Sequence, residues 1–261
     1  REAVREAVRR TLRRFDERFF TPSAARRQAL IDRFRAGEIG ESELPRDILT
    51  ILLRNEDNLD LPRDIILRET GFYYLAGAHT SVHSLTHAMH EMFEWGREHP
   101  EDAERIRNDP LFVQRCVHES LRLHPSSPIA QRRPTCPVHL PSGEDVTPDD
   151  TVVVDLYRAN RQVDTFGSDA AVFNPHRQLP ANLPPYGVTF GVGIHTCLGR
   201  NLAAGDVARP GTDPDKHQYG TITLIARALI ANHARPDPEN PPQREPNIAR
   251  EAWAKYPVLL G

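Results

Sequence analysis

The stretch Phe190-Gly191-Val192-Gly193-Ile194-His195-Thr196-Cys197-Leu198-Gly199-Arg200-Asn201-Leu202-Ala203 constrains this chain more than any other. It places one cysteine in a glycine-rich loop, framed by a phenylalanine and a histidine, directly before a helix-forming Leu-Ala run. Glycine at 191, 193 and 199 permits turns and close approaches that a Cβ would block. A helix starting just after Cys197 would turn backbone N–H groups toward the sulfur and favour the thiolate. A thiolate held in this way is a metal ligand. The plainer alternative is a buried, inert cysteine in a glycine-rich turn.

The stretch resembles the cysteine-ligand loop of cytochromes P450. It matches the pattern F-x-x-G-x-H-x-C-x-G-x-x-L-A at Phe190, Gly193, His195, Cys197, Gly199, Leu202 and Ala203. The resemblance implies haem b as cofactor, with Cys197 as the axial ligand of its iron. It also implies that Phe190 packs beside the sulfur and that His195 hydrogen-bonds a haem propionate. Gly191, Gly199 and Ala203 belong to the same cofactor-binding loop.

A length of 261 residues allows one large domain or two small ones. The chain carries a formal net charge of −3, which argues against nucleic acid as the main partner. No stretch approaches the roughly 18 consecutive apolar residues of a membrane span. The opening Arg1-Glu2-Ala3-Val4-Arg5 has no signal-peptide pattern. The three cysteines, Cys116, Cys136 and Cys197, make no disulfide framework. The expectation is a soluble, cytoplasmic protein without a membrane partner.

Helical periodicity and proline dominate the first half. Val4, Val8, Leu12, Phe15 and Phe19 form an apolar stripe, with Arg1, Arg5, Arg9 and Arg13 on a solvated face. Pro22, Pro45, Pro62, Pro100 and Pro110 are candidate first helical residues, with Thr21 and Asp109 as N-caps and Gly37 and Gly96 as stops. The longest helix is expected from Pro62 to Trp95, and another from Pro110 to His124. Val138–Leu140, a turn at Ser142-Gly143 and Thr151–Val154 predict a small β-sheet. A proline-rich loop region follows from Asn160 to Pro185. The fold class is therefore mainly α with a minor sheet. In family terms this is a single P450-like domain over 1–261, with the N-terminal part of the fold absent.

Glu119-Ser120-Leu121-Arg122 puts a carboxylate and a guanidinium on one helix face. Alone, such a pair is an ordinary surface contact. Here it lies in a helix ended by His124-Pro125 upstream of the cysteine loop, and it resembles the family's E-x-x-R motif. That resemblance makes Arg177, in Asn174-Pro175-His176-Arg177, the third member of a structural cluster. It also gives Arg132, whose register fits better than that of Arg133, a haem propionate as partner.

Ala76-Gly77-Ala78-His79-Thr80-Ser81 resembles the family's oxygen-side segment, A-G-x-acid-T-T/S. The resemblance implies that Gly77 weakens the helix to open a groove and that Thr80 delivers protons, with Ala76 beside the cofactor. His79 replaces the usual acid, and histidine can relay protons near neutral pH. His79, His83, His87 and His90 share one narrow helical stripe. They are read as a proton or water path, or alternatively as a metal site. Asp206–Asp215, with Pro210, Gly211 and Pro214, reads as an insertion where relatives continue a helix, which resumes at about Thr221.

The resemblance as a whole implies an iron-dependent oxidoreductase, a monooxygenase. It would insert one oxygen atom from dioxygen into a small organic substrate, with electrons from a ferredoxin or flavin-type donor. Two alternatives stand beside it: a non-catalytic haem binder or incomplete P450 fragment, and a helical protein with a metal on the histidine stripe.

Overall fold

A computed structural model describes residues 2–180, 182–248 and 250–261. The class is as expected, mainly α with small antiparallel β-pairs. The chain separates into two compact units, Arg1–His79 and Thr80–Gly261.

In the first unit, helix α1 (Glu2–Phe15) passes through a π-helical turn (Asp16–Phe20) into α2 (Thr21–Arg35). Thr21 is thus not an N-cap. Its N–H bonds back to the Asp16 carbonyl, its hydroxyl donates to Asp16 Oδ1 at 2.8 Å, and Pro22 lies inside a continuous helical run. The wide turn lets the chain pass the missing Pro22 N–H without breaking. Gly37, at φ +75°, does stop α2: its N–H bonds to Phe34 O, and that of Glu38 to Arg33 O. Short α3 (Ile48–Arg54) and α4 (Glu56–Leu59) follow, and α5 (Arg63–Glu98) begins. Asp47, rather than Pro45, starts α3, accepting from Thr50 N at 2.9 Å while Arg27 grips its carboxylate. The core of this unit gathers Phe20, Ile31, Leu49, Leu53, Ile66 and Leu67. Leu12 and Phe15 of the predicted stripe pack on it, whereas Val4, Val8 and Phe19 are exposed.

The second unit takes up the rest of α5, then α6 (Pro100–Asn108) and α7 (Pro110–Leu123). Gly96 does not end α5, which runs on to Glu98; a Cβ there would meet Ala103 Cβ of α6 at 3.4 Å. Asp109 caps α7, accepting from Leu111 N and Phe112 N at 3.0 Å. The expected sheet is two separate pairs. Strand β1 (Ile129–Arg132) pairs with β4 (Val152–Asp155), and β2 (Val138–His139) with β3 (Asp145–Val146). Helices α8 (Leu156–Ala159) and α9 (Val163–Phe166) lead into turns and the cysteine loop. Then come α10 (Arg200–Ala204), α11 (Thr221–Ala231), and strands β5 (Arg235–Pro236), β6 (Gln243–Arg244), β7 (Trp253–Lys255) and β8 (Val258–Leu259). The strands pair β5–β8 and β6–β7. Met89 and Met92 of α5, Phe112, Val113 and Val117 of α7, and Ile222 of α11 centre the core.

Candidate haem-thiolate site

The cysteine loop is closed by its own backbone. Cys197 N–H donates to Phe190 O at 2.8 Å, and a 3₁₀ turn (Gly193–His195) lies between them. Gly191 and Gly193 adopt φ +70° and +67°, where glycine alone is unstrained. A Cβ on Gly191 would also crowd His195 O at 3.2 Å. Gly199 precedes α10, and a Cβ there would stand 3.8 Å from Cys197 Sγ. Phe190 is half-buried and meets Tyr186 edge-on, at 5.0 Å and 87°. Ala203 packs on the same core. In contrast, Cys197 is exposed, with His195, Val192, Ile194, Leu198 and Leu202. Ile194 is 96% and Leu198 85% exposed, far from the usual fate of large apolar side chains.

Glu119, Arg122 and Arg177 come together behind this loop. Arg122 donates from Nε and Nη2 to the two Glu119 oxygens, each at 2.8 Å, with its side chain wholly buried. Arg177 Nε adds a third bond to Glu119 Oε1 at 3.1 Å, and Asn174 N a fourth at 3.1 Å. Arg122 Nη1 also donates to the carbonyls of Asn160 and Ala170. Such bonds are what a buried ion pair requires. Asp169 is a further member, pairing with Arg177 Nη1. Burial alone would lower the Arg177 pKa, but the Asp169 hydrogen bond and the charge of Glu119 outweigh it and raise it.

Asn160 carries this cluster to the cysteine loop. It is fully buried, donates from Nδ2 to Arg122 O and Thr189 Oγ1, both at 2.9 Å, and accepts from Val188 N at 2.8 Å. Thr189 in turn donates to Leu121 O at 2.7 Å. The residues just before Phe190 are thereby fastened to α7. No sequence pattern marked Asn160 or Asp169, because their partners are distant in the chain.

The predicted oxygen-side residues all lie on α5, which continues unbroken through Gly77. Ala76, Gly77 and His79 fall in the first unit and Thr80 in the second. Gly77 and His79 are exposed, and Ala76 and Thr80 half-buried. Ser126 Oγ donates to Thr80 O at 3.2 Å and pairs with Ser84 Oγ at 3.0 Å. Arg132, on β1, is half-buried and donates from Nη1 to Gln131 O at 2.8 Å.

The rings of the histidine stripe pack against one another and against His124. His87 lies 4.6 Å from His83 and 4.2 Å from His124, centroid to centroid. His124 Nε2 bonds to Glu91 Oε1 at 2.6 Å, and His90 Nδ1 to the Tyr256 hydroxyl at 3.0 Å. Among the described residues, no group of three or more His, Cys, Asp or Glu is arranged to hold a metal ion. Burial, helped by the charges of His124 and His83, pushes the His87 pKa down to about 2, so its ring is neutral.

The donor set around Cys197 fits haem: one soft sulfur presented outward among apolar side chains suits iron in a flat macrocycle. Just before the expected insertion α10 ends at Ala204 with Gly205 as its C-cap, and Gly220 then caps the start of α11. Among the described residues, no helix is long and apolar enough to cross a membrane.

Comparison with known proteins agrees with this geometry. The family model for cytochrome P450 matches residues 24–207. Alkane hydroxylase MAH1 of Arabidopsis thaliana is 32% identical over 141 residues, covering 51% of this chain and 27% of its own. Mycinamicin VIII C21 methyl hydroxylase of Micromonospora griseorubida is 34% identical over 128 residues, covering 49% and 30%. The structure of the cytochrome P450 enzyme CYP109B1 from Bacillus subtilis superposes with a TM-score of 0.70 at 20% identity. That match covers 99% of this chain and 59% of the other. CalO2 matches with a TM-score of 0.65 at 21% identity, covering 91% and 52%. The chain thus spans little more than half of these solved structures, and less than a third of the two curated relatives.

Proposed function

The chain belongs to the cytochrome P450 family, and on that premise we propose that it forms the haem-thiolate part of a monooxygenase. In this reading Cys197 would hold the iron of haem b through its sulfur. When bound, the haem supplies oxygen activation, helped by electron donation from the thiolate. The protein's part is ligation, orientation and proton supply.

Phe190 packs beside the sulfur, while Gly191, Gly199 and Ala203 keep the loop slim enough for close approach. His195 and Arg132 take the propionates, for which arginine's fork and imidazole N–H are suited. By the family resemblance, Ala76 would serve cofactor binding and Gly77 would loosen the helix α5 that carries them. Thr80 holds a proton at Oγ1 and passes it inward, and His79 replenishes it in place of a carboxylic acid. Glu119, Arg122 and Arg177 bear no chemistry and hold α7 against the loop. The substrate is a small organic molecule, the oxidant dioxygen, and the electrons come from a ferredoxin or flavin-type donor. The working unit is one P450-like domain in the cytoplasm.

The observation that carries this reading is the thiol of Cys197, held outward among exposed apolar side chains by its N–H bond to Phe190 O. The absorbance of the dithionite-reduced, CO-bound protein tests it. A red-shifted thiolate-type Soret band is expected; an ordinary haem band, or no haem uptake, refutes it. A second reading, a haem binder without turnover, is favoured by exposed Phe72, Tyr74 and Leu75 on α5, which leave apolar surface uncovered. The thiolate band without product formation would select that reading.

A further inference from the structure

Ala204 closes α10, and its carbonyl has no helical partner because the chain turns away at Gly205, φ +74°. An uninterrupted helix would cap that carbonyl with the amide four residues on, and a helix end without partners is costly when buried. Here α7 supplies the partners. His118 Nε2 donates to Ala204 O at 2.9 Å, and Gln114 Nε2 donates to the same oxygen at 3.1 Å and to Asp206 O at 3.0 Å. The two donors are four residues apart, one turn of the same helix face.

The other end of the cysteine loop is reached from the same ring. His118 meets Tyr186 edge-on at 5.4 Å and 82°, and Tyr186 meets Phe190 in the same way. Phe190 O receives the Cys197 N–H. His118 is 2% exposed and kept neutral by burial, with its pKa pushed down to about 4, so its donor atom carries no charge into the core.

We propose that His118, backed by Gln114, is a positioning residue for Cys197. It gathers both ends of the cysteine loop onto α7 and replaces the caps that α10 loses where the chain turns away. This rests on reading Cys197 as the haem ligand, but the clamp can be measured without haem.

The test compares His118→Leu, His118→Gln and Gln114→Leu with the wild type, first by amide hydrogen exchange. In His118→Leu, exchange over residues 197–205 should rise about tenfold, as loss of one neutral hydrogen bond allows, while residues 88–92 of α5 stay protected. His118→Gln, whose amide can donate in place of Nε2, should restore protection. Unchanged exchange over 197–205, or an equal rise in both segments, overturns the proposal. If His118→Leu does not fold, Gln114→Leu removes the other donor to the same carbonyl and decides by the same two outcomes. After haem loading, the leucine variants should also lose thiolate-type CO band in favour of the ordinary one. Full retention of that band counts against positioning. A wild type lacking the band refutes the ligand reading, and the exchange data still judge the clamp.

Discussion

Arg122 shows how a single residue can be both legible and costly. Its guanidinium is wholly buried and satisfied by Glu119 together with backbone carbonyls. Glu119→Gln would leave the charges of Arg122 and Arg177 facing a neutral amide. Removing one partner of a buried pair destabilises by about 3–5 kcal/mol, so urea unfolding of Glu119→Gln should show a correspondingly lower midpoint. A midpoint equal to the wild type would mean that the cluster is solvated. The buried imidazoles set a pH window. His87 and His118 have pKa values lowered from 6.5 to about 2 and about 4. The unfolded chain therefore binds protons below about pH 6.5 while the native chain does not. The stability these groups contribute is complete above that pH and is lost as pH falls toward their native values. Each group costs about 1.4 kcal/mol per pH unit in that window. His87→Phe should lose less stability than the wild type between pH 6.5 and 5, read from urea midpoints; an equal loss would remove His87 from the account.

At the scale of elements, two glycines invite opposite expectations. Gly77 sits mid-helix on α5, exposed, with nothing within 4 Å of a Cβ. Gly77→Ala should stabilise by about 0.5–1 kcal/mol, the ordinary gain in a helix interior. Gly205 adopts φ +74°, and a Cβ there would stand 2.3 Å from Gly220 N and 2.5 Å from Gln218 O. Gly205→Ala should destabilise, by more than 1 kcal/mol on backbone grounds. Thermal unfolding of the two variants checks both signs. The contrast also explains α10. Gly205 and Tyr219 form an isolated bridge, so the segment between them leaves the helix and returns to its own starting point. The prolines at 210 and 214 announced a break in helix, but its closed neck needed the backbone path.

At the scale of the whole molecule, local periodicity was sufficient for the long α5 and for α7, because an apolar face repeats along each. It failed at other positions. Gly96 looked like a stop but lies inside α5, which runs on to Glu98, and Thr21 looked like a cap but belongs to a helix widened by a π turn. The strand Ile129–Arg132 was invisible in the sequence because its existence depends on pairing with Val152–Asp155. The histidine stripe was legible as a stripe, yet its meaning changed once His124 stacked on His87 and Trp253 met His90 edge-on.

The sequence by itself determined the turn pattern of the cysteine loop, the Glu119–Arg122 pair and the break in helix before Thr221. Each of these is a matter of spacing along a few turns, where backbone geometry leaves little choice. Only the tertiary structure decided what stands behind them. Asn160 reaches Arg122 across 38 residues, and His118 reaches Ala204 across 86. Such bonds form because buried polar groups must find partners, and which partner lies within reach is set by packing, not by any pattern along the chain.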